Sequence, residues 1–180
     1  MKDLGAVKYL LGFEVFRSKE GILLSQRKYA LELIRDTSRG GAKPVATPME
    51  QRLKFTTVEY DEVLGTKKGS QQIENEVLGT ENGVFQWLIQ RLPYLTHTRS
   101  DIMYVVHHLS LFLQHPKRSH LEAAMRIFKY VKKTSGQRIL LRSSGYVQLE
   151  AYCDANCGSC LMARRSITGY CIKICGSLVS

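Results

Sequence analysis

The acidic residue Asp154 closes an apolar, strand-like run, VQLEAYC (residues 147–153), and its position is the one that most favours chemistry. A carboxylate at a strand end is a common start for Mg²⁺-dependent chemistry on phosphates. Two-metal nucleases, however, need several carboxylates that converge on the ions. Glu150 lies too far along the same strand to complete a compact site, and no Asp or Glu occurs from Ala155 to Ser180. The residues alone therefore favour a turn-capping role for Asp154.

A polymerase site would also need neighbouring acids to hold Mg²⁺. The aspartates are isolated from one another along the sequence, and no Asp-Asp pair occurs; they are Asp3, Asp36, Asp61, Asp101 and Asp154. The histidines contain no HExxH pattern, so surface or helix-end roles are predicted for His97, His107, His108, His115 and His120. The sequence by itself shows no complete catalytic set.

Five cysteines offer a different kind of site. Cys157-x-x-Cys160 followed by Cys171-x-x-x-Cys175 superficially resembles a four-thiolate zinc site. On the strand predicted for residues 167–174, the second pair would share a face at a separation of about 13 Å, which suits one tetrahedral ion poorly. Small apolar side chains are the favoured interpretation, and a zinc-binding module is an alternative.

Charge points to a polyanionic partner. The 180 residues carry a formal charge of +10, and nucleic acid is the first candidate for such a balance. Residues 50–82 hold four cations and seven acids, 4 − 7 = −3, so the remainder carries +13 and should form the contact. The first residues show no signal peptide and no apolar run approaches the roughly 20 residues of a membrane span. An intracellular protein with reduced thiols, in cytoplasm or nucleus, is expected.

The first elements to position these residues are a hairpin and a helix. Residues 8–16 alternate in polarity as one strand, RSKEG is a turn and ILLS a return strand, so residues 8–25 are predicted to form a β-hairpin. A helix is predicted over residues 26–37. Residues 39–82 are predicted to be irregular, with room for a short helical turn.

Three helices and further strands are predicted next. Pro93 should break or kink the first helix, over residues 83–98. Ser100 is a candidate N-cap of the second, and a capping box, Ser119-x-x-Glu122, is predicted to start the third. Strands are predicted at RILLR, VQLEAYC and ITGYCIKI. The fold class is α+β, with two partial units that join near residues 134–137.

Five segments, in one order, resemble the Pol polyprotein of copia-type long-terminal-repeat retrotransposons, which are abundant in plants. They are MKDLGAVKYLLGFEVFRSKEGILLSQRKYALELIRDT, AKPVATPM, YLTHTRSDIMYVV, HLEAAMRIFKYVKKTSG and YCDANCGSCLMARRSITGYCIKICGSLVS. The resemblance implies that residues 1–37 end a reverse-transcriptase palm with its primer-grip hairpin and that 38–82 are an irregular linker. Residues 83–136 would be thumb and connection helices, and 137–180 the first strands of a truncated RNase H-like sheet.

The resemblance also implies roles for individual residues. Leu11, Gly12, Phe13 and Glu14 would lie in the first strand of the primer-gripping hairpin. Gln90, Arg91 and Tyr94 would lie on a helix that follows the minor groove of the template–primer duplex. Asp154 would stand for the first metal-binding carboxylate of RNase H and would hold Mg²⁺ if the later acids were supplied. The intact family uses Mg²⁺, whereas no cofactor is expected for this fragment.

Departures from the family pattern temper these expectations. Gln90 replaces a glycine, Pro93 an apolar helix former and Ser100 a proline, while Asn156-Cys157 replaces Asp-Trp. The paired palm aspartates and the later RNase H acids lie outside this sequence. A catalytically inactive fragment of an RNA-directed DNA polymerase and RNase H is therefore expected, with residual binding of RNA–DNA or DNA duplex and no membrane contact. A domesticated nucleic-acid-binding or scaffold protein is the alternative.

Overall fold

The structure is a computed structural model, and it describes residues 5–37, 42–51, 53, 55–63, 77–79, 81–143, 147–156 and 167–179. The predicted α+β class is confirmed. The helices are α1 Arg27–Asp36, α2 Val58–Val63, α3 Asn82–Thr96, α4 Met103–Ser110 and α5 Arg118–Lys133. The strands are β1 Tyr9–Leu10, β2 Phe13–Ser18, β3 Gly21–Ser25, β4 Ile139–Arg142, β5 Leu149–Asn156, β6 Ile167–Ile174 and β7 Ser177–Leu178.

The hydrophobic core is formed by the helices. α1, α3, α4 and α5 each turn an apolar side inward at helical spacing, as the sequence predicts. The most completely buried apolar side chains are Leu33, Phe85, Leu88, Ile89, Leu92, Leu95, Ile102, Leu109 and Ile127. Within the described ranges, no strand contributes an apolar side chain to this core. The sheets therefore keep much of their apolar surface half-exposed.

The strands form two antiparallel sheets, with the orders β1-β2-β3-β4 and β5-β6-β7. β4 follows α5 in sequence and returns to pair with β3, where Leu23 lies opposite Leu140. β7 lies beside β4, and the backbone N–H of Arg142 donates to the Ser177 hydroxyl oxygen at 3.0 Å. The N-terminal hairpin thus contacts strands that follow residue 137. The division of the chain into segments 1–37, 38–82, 83–136 and 137–180 stays a prediction.

The single strand predicted over residues 8–16 is wrong. The chain reverses at Leu11 and Gly12, and Leu10 pairs with Phe13 across this turn. Both turn residues have positive φ, 47° and 78°, as a type I′ turn requires. The apolar residues alternate through the turn as they would in a continuous strand, so the pattern did not indicate a reversal. Gly12, within that run, is the residue that could have indicated one. Leu11 consequently points to solvent, with 76% of its surface exposed.

Pro93 does not break α3 as predicted, because the helix continues for three residues beyond it, to Thr96. Pro93 has no N–H to donate to the Ile89 carbonyl, so the helix lacks one ladder hydrogen bond at this point. The Thr96 hydroxyl donates to the Pro93 carbonyl oxygen at 2.7 Å in the last turn.

Both predicted helix starts are displaced. Ser100 begins a 3-10 turn, Ser100–Ile102, and does not cap α4 with its side chain. α5 begins at Arg118, one residue before the predicted cap Ser119. The backbone N–H of Lys117 donates to His120 Nδ1 at 3.0 Å, so His120 replaces the predicted glutamate at the third helical position.

Residues 39–82 contain the short helical turn that the sequence allows, now α2. None of the helices in the described ranges is both long and apolar enough to cross a bilayer.

Candidate nucleic-acid interface

Tyr94 brings the hairpin turn and helix α3 together. Its ring lies edge-on to Phe13, with centroids 5.7 Å apart, and edge-on to Tyr29 at 5.0 Å. His97 completes the cluster at 5.8 Å from Tyr94 and 6.2 Å from Phe13. Two of the residues expected to contact nucleic acid, Phe13 and Tyr94, are therefore in direct contact although they are far apart in sequence.

Gly12 allows this close approach. A Cβ atom at Gly12 would lie 3.2 Å from Tyr94 Cε1 and 3.3 Å from the Tyr94 hydroxyl oxygen, closer than ordinary packing allows. The positive φ of Gly12 also disfavours any other residue. Glycine is therefore required here by backbone conformation and by the adjoining ring.

Replacing Gly12 by Ala should lower the free energy of unfolding by about 1–2 kcal/mol, because an L-residue is strained in the left-handed region and the new methyl group crowds Tyr94. Urea unfolding followed by circular dichroism would measure the loss. Gly136→Ala is the control, since a Cβ there meets nothing within 4 Å. Equal stability of the two variants would contradict the close contact.

Helix α1 fastens the end of α3 through side chains that the sequence did not single out. Gln26 is buried, its Nε2 donates to the Tyr94 carbonyl at 3.1 Å and its Oε1 accepts from the Thr98 hydroxyl at 2.7 Å. The Tyr29 hydroxyl donates to the Arg91 carbonyl at 3.1 Å. Burial raises the pKa of Tyr29, opposed by the Arg91 charge, so the hydroxyl keeps its proton. A glutamine between a strand and an amphipathic helix was the only sequence signal.

Arg91 lies beside this cluster but is already engaged. Its guanidinium carbon is 4.3 Å from the centroid of the Trp87 ring, and Nη1 lies 2.9 Å from an Asp36 carboxylate oxygen. Both partners of that ion pair are more than 40% exposed, so the pair contributes little to stability. A phosphate could replace Asp36 at small energetic cost.

The remaining predicted interface residues lie around the turn. Gln90 is exposed on the outer side of α3, away from the buried face formed by Leu88, Ile89 and Leu92. Glu14 is half-buried in β2, between Tyr9 and Ser25 of the neighbouring strands. The turn, Tyr94 and Gln90 thus share one side, whereas Glu14 is held within the sheet.

Behind the interface, Arg99 ties the turn after α3 to the end of α5. Its guanidinium makes two hydrogen bonds with Asp101, at 2.8 and 2.9 Å, and two with the hydroxyl and carbonyl oxygens of Thr134. Burial alone would raise the pKa of Asp101, but hydrogen bonds from Arg99 and Tyr130 outweigh it and hold the pKa below its ordinary value. This buried arginine fixes where the chain leaves α5 for β4.

Asp154 lies on the polar face of the second sheet. Its side chain is exposed, and the register places it with Glu150 and Tyr152 on one face, where Lys173 lies 5.3 Å from the Tyr152 ring. The Tyr152 hydroxyl donates to Glu150, so that acid is turned toward the tyrosine. No three His, Cys, Asp or Glu side chains among the described residues cluster as metal ligands would. The described residues therefore do not fit a two-metal Mg²⁺ site, and no step is assigned to one.

The proposed zinc ligands are only partly placed. Cys157 and Cys160 lie outside the described residues. Cys171 lies in β6, and Cys175 lies in the turn after it, with a φ of 53°, rather than on the strand as predicted. Cys153 and Cys171 are free thiols.

Known proteins resemble the chain throughout its length. It is 28% identical over 182 residues to an uncharacterized mitochondrial protein of Arabidopsis thaliana, with all of this chain and 68% of that protein aligned. It is 35% identical over 156 residues to the retrovirus-related Pol polyprotein from transposon RE1 of the same plant, covering 87% of this chain. A similar polyprotein from transposon TNT 1-94 of Nicotiana tabacum is 30% identical over 183 residues, covering all of this chain.

The polyproteins are far longer than the aligned region. The chain spans 10% of the RE1 polyprotein and 13% of the TNT 1-94 polyprotein. No family model matches the sequence, and no solved structure matches it.

Proposed function

The chain belongs to the retrovirus-related Pol polyproteins of copia-type transposons, and we propose that this segment grips a nucleic-acid duplex and leaves catalysis to other parts of the polyprotein. The observation that carries the proposal is the contact of the Leu11–Gly12 turn with Tyr94 on α3. In this proposal the hairpin is the primer grip and α3 is the first helix of a thumb.

The outer side of α3 suits a minor groove. Gly83 and Gln90 lie two helical turns apart on the exposed side, and Tyr94 follows one turn later. A cation stacked on Trp87 stands beside them. Minor-groove edges present mainly acceptors, to which the Gln90 amide can donate, and Arg91 can reach the adjoining phosphates. Gly83, Gln90 and Arg91 would therefore allow α3 to lie close to the minor groove of an RNA–DNA or a DNA duplex.

The catalytic part of the proposal concerns Asp154. We assign it as the first carboxylate of an RNase H-like site whose other acids would come from elsewhere in the polyprotein. The chain by itself should neither extend a primer nor cleave a hybrid, and either activity in the purified protein with Mg²⁺ would contradict this assignment.

Binding of a labelled RNA–DNA hybrid across a salt series tests the grip, with circular dichroism on the same samples. The affinity should fall steeply with salt, by about one unit of log–log slope for each phosphate contacted. Gln90→Glu should weaken binding about tenfold, because it places a negative charge against the phosphates.

Gln148→Glu is the matched control, since Gln148 is exposed beside β5 and receives the same change of charge. Equal weakening by both variants would mean that net charge alone governs binding. A folded protein that binds no hybrid would contradict the grip and would favour a scaffold role.

A further inference from the structure

One face of the four-stranded sheet carries a row of apolar and aromatic side chains. Cross-strand pairing puts Phe16, Leu23 and Leu140 in one row, because residues directly opposite in an antiparallel pair project to the same side. Tyr9 projects to that side as well, since it lies opposite Glu14, two residues from Phe16 on β2. These four apolar residues define the outer sheet face.

The opposite face of this sheet is turned toward the helices. Phe13 on that side contacts Tyr94 and His97 of the α3 end. Ile139 on the same side lines a cavity of about 260 Å³ together with Met103 and Leu178. The outer sheet face therefore points away from these helix contacts. Its two rings, Tyr9 and Phe16, are exposed, whereas Leu23 and Leu140 are partly buried.

Two aromatic rings on the outer sheet face are accompanied by cations. Tyr9 is 53% exposed, and the Lys28 ammonium lies 5.6 Å from its ring centroid. Phe16 is 48% exposed, and the Arg138 guanidinium lies 5.4 Å from its ring. An exposed aromatic ring with a cation beside it can accept a stacked base while the cation reaches the phosphate.

The charge of this face favours an anion. Arg138, Leu140 and Arg142 alternate along the chain, so both arginines project to the outer side of β4, and both are exposed. Lys28 adds a third cation, whereas Glu14, half-buried between the strands, is the acid on this face. Three cations against one carboxylate leave a positive surface around the two rings.

We propose that the outer sheet face binds single-stranded nucleic acid, with successive bases stacked on Tyr9 and Phe16. The two residues are diagonal neighbours on adjacent strands, a relation that sets them about 7–8 Å apart. Extended single strands can splay neighbouring bases onto aromatic side chains that a sheet holds in this way. Bases inside a duplex are stacked on one another and cannot use the rings. The two proposals therefore differ in ligand and in contacting residues: the duplex grip uses the Leu11–Gly12 turn and α3, whereas single-strand binding uses Tyr9 and Phe16.

The first test uses the wild-type protein and labelled oligonucleotides of about 15 nucleotides, near the upper site size of small single-strand binders. Oligo(dT) and oligo(U) are compared with an abasic strand of the same length and phosphate number. Removing the bases should weaken binding by at least tenfold. Equal affinity for the abasic strand would show that phosphates alone are bound and would overturn base stacking, while the dT and U arms distinguish DNA from RNA.

The second test replaces the rings. The double variant Tyr9→Leu, Phe16→Leu should lose roughly 100-fold in affinity for oligo(dT), since each stacked base contributes about tenfold or more. Tyr9→Phe, which keeps a ring, should retain wild-type affinity. Unchanged oligo(dT) affinity in the double variant would overturn the proposal. That result would also be expected if the outer sheet face binds another protein instead of nucleic acid.

A matched control comes from the second sheet. Tyr152 is 55% exposed and has the Lys173 ammonium 5.3 Å from its ring, but Glu150 and Asp154 share its face. Tyr152→Leu should leave oligo(dT) binding unchanged. The Gln90→Glu variant should keep single-strand binding and lose hybrid binding, so failure of this proposal can be distinguished from failure of the duplex grip.

Discussion

Replacing Asp61 by Asn should lower the free energy of unfolding by about 3–5 kcal/mol, because the change removes the carboxylate that pairs with the buried Lys117 ammonium. The Lys117 side chain is only 2% exposed, and its Nζ donates to an Asp61 carboxylate oxygen and, at 2.8 Å, to the Thr56 hydroxyl. An asparagine fills the same space, so the loss would come from charge. Urea unfolding at neutral pH would measure it.

A double-mutant cycle separates the ion pair from general disturbance of α2. Lys117→Met removes the cation, and the combination Lys117→Met, Asp61→Asn should be less destabilised than the sum of the two single variants. Glu62→Gln is the control, because Glu62 is exposed in the same helix and should change stability by no more than about 0.5 kcal/mol. An Asp61→Asn protein as stable as Glu62→Gln would show that Lys117 is satisfied without the carboxylate.

This ion pair gives the acidic window a structural role. Residues 50–82 carry a net charge of −3, and two of their acids pair with cations of the α5 region. Asp61 pairs with Lys117, which precedes the helix, and Glu50 pairs with Arg126 within it. Phe55 anchors the same segment by packing edge-on to His120. These acids thus neutralise one side of α5, whereas the cations beside the outer rings of the four-stranded sheet, Lys28 and Arg138, lie elsewhere.

Helical periodicity predicted the body of the fold because the helices supply its core. The apolar residues that recur at helical spacing along α5 are all buried: Leu121, Ala124, Phe128 and Val131. The hairpin arm was predicted less well, because none of its apolar residues in the described ranges enters that core. The alternation of apolar residues in the hairpin therefore did not correspond to burial in the core. For that reason the sequence predicted one continuous strand where the chain reverses at Gly12.

The candidate interface was predictable only as separate pieces. The resemblance indicated Gly12 and Tyr94 individually, but their contact depends on tertiary packing across more than 80 residues of chain. The burial of Gln26 and Lys117 could not be predicted from the sequence, since a polar residue at a helix start is ordinarily exposed. Their burial depends on partners that tertiary folding brings to them, the Tyr94 carbonyl for Gln26 and the Asp61 carboxylate for Lys117.

His120 has the helix-end role predicted for the histidines, at the start of α5, but it is buried rather than on the surface and makes the fold sensitive to acid. It is fully buried, in ring contact with Phe55 and Phe112 at 5.4 and 4.1 Å. Burial is the largest cause that lowers its pKa, to about 3, and the nearby Lys117 ammonium and His108 lower it further, against a smaller opposing effect of Asp61. His120 is therefore neutral in the folded protein at physiological pH and accepts the Lys117 backbone N–H at Nδ1.

The unfolded chain binds a proton at this histidine below a pH of about 6.5, whereas the folded protein does not until about pH 3. The stability contributed by neutral His120 is thus complete above pH 6.5 and is lost as the pH falls below it. Between pH 7 and pH 5 the free energy of unfolding should drop by about 2 kcal/mol, at 1.4 kcal/mol per pH unit below 6.5. Burial also lowers the pKa of His108, which adds to the drop in the same direction.

Urea unfolding at the two pH values, on the wild type and on His120→Gln, isolates the contribution of His120. Glutamine keeps an acceptor for the Lys117 backbone N–H, as in a capping box, but does not titrate. His107→Gln, at an exposed position of α4, is the control for the substitution itself and should change the free energy of unfolding at pH 7 by no more than about 0.5 kcal/mol. The difference in stability between pH 7 and pH 5 should shrink by about 2 kcal/mol in His120→Gln only. An equal pH dependence in wild type and His120→Gln would mean that His120 gains its proton in the folded protein, which would require the Phe55 and Phe112 cluster to open to water well above pH 3.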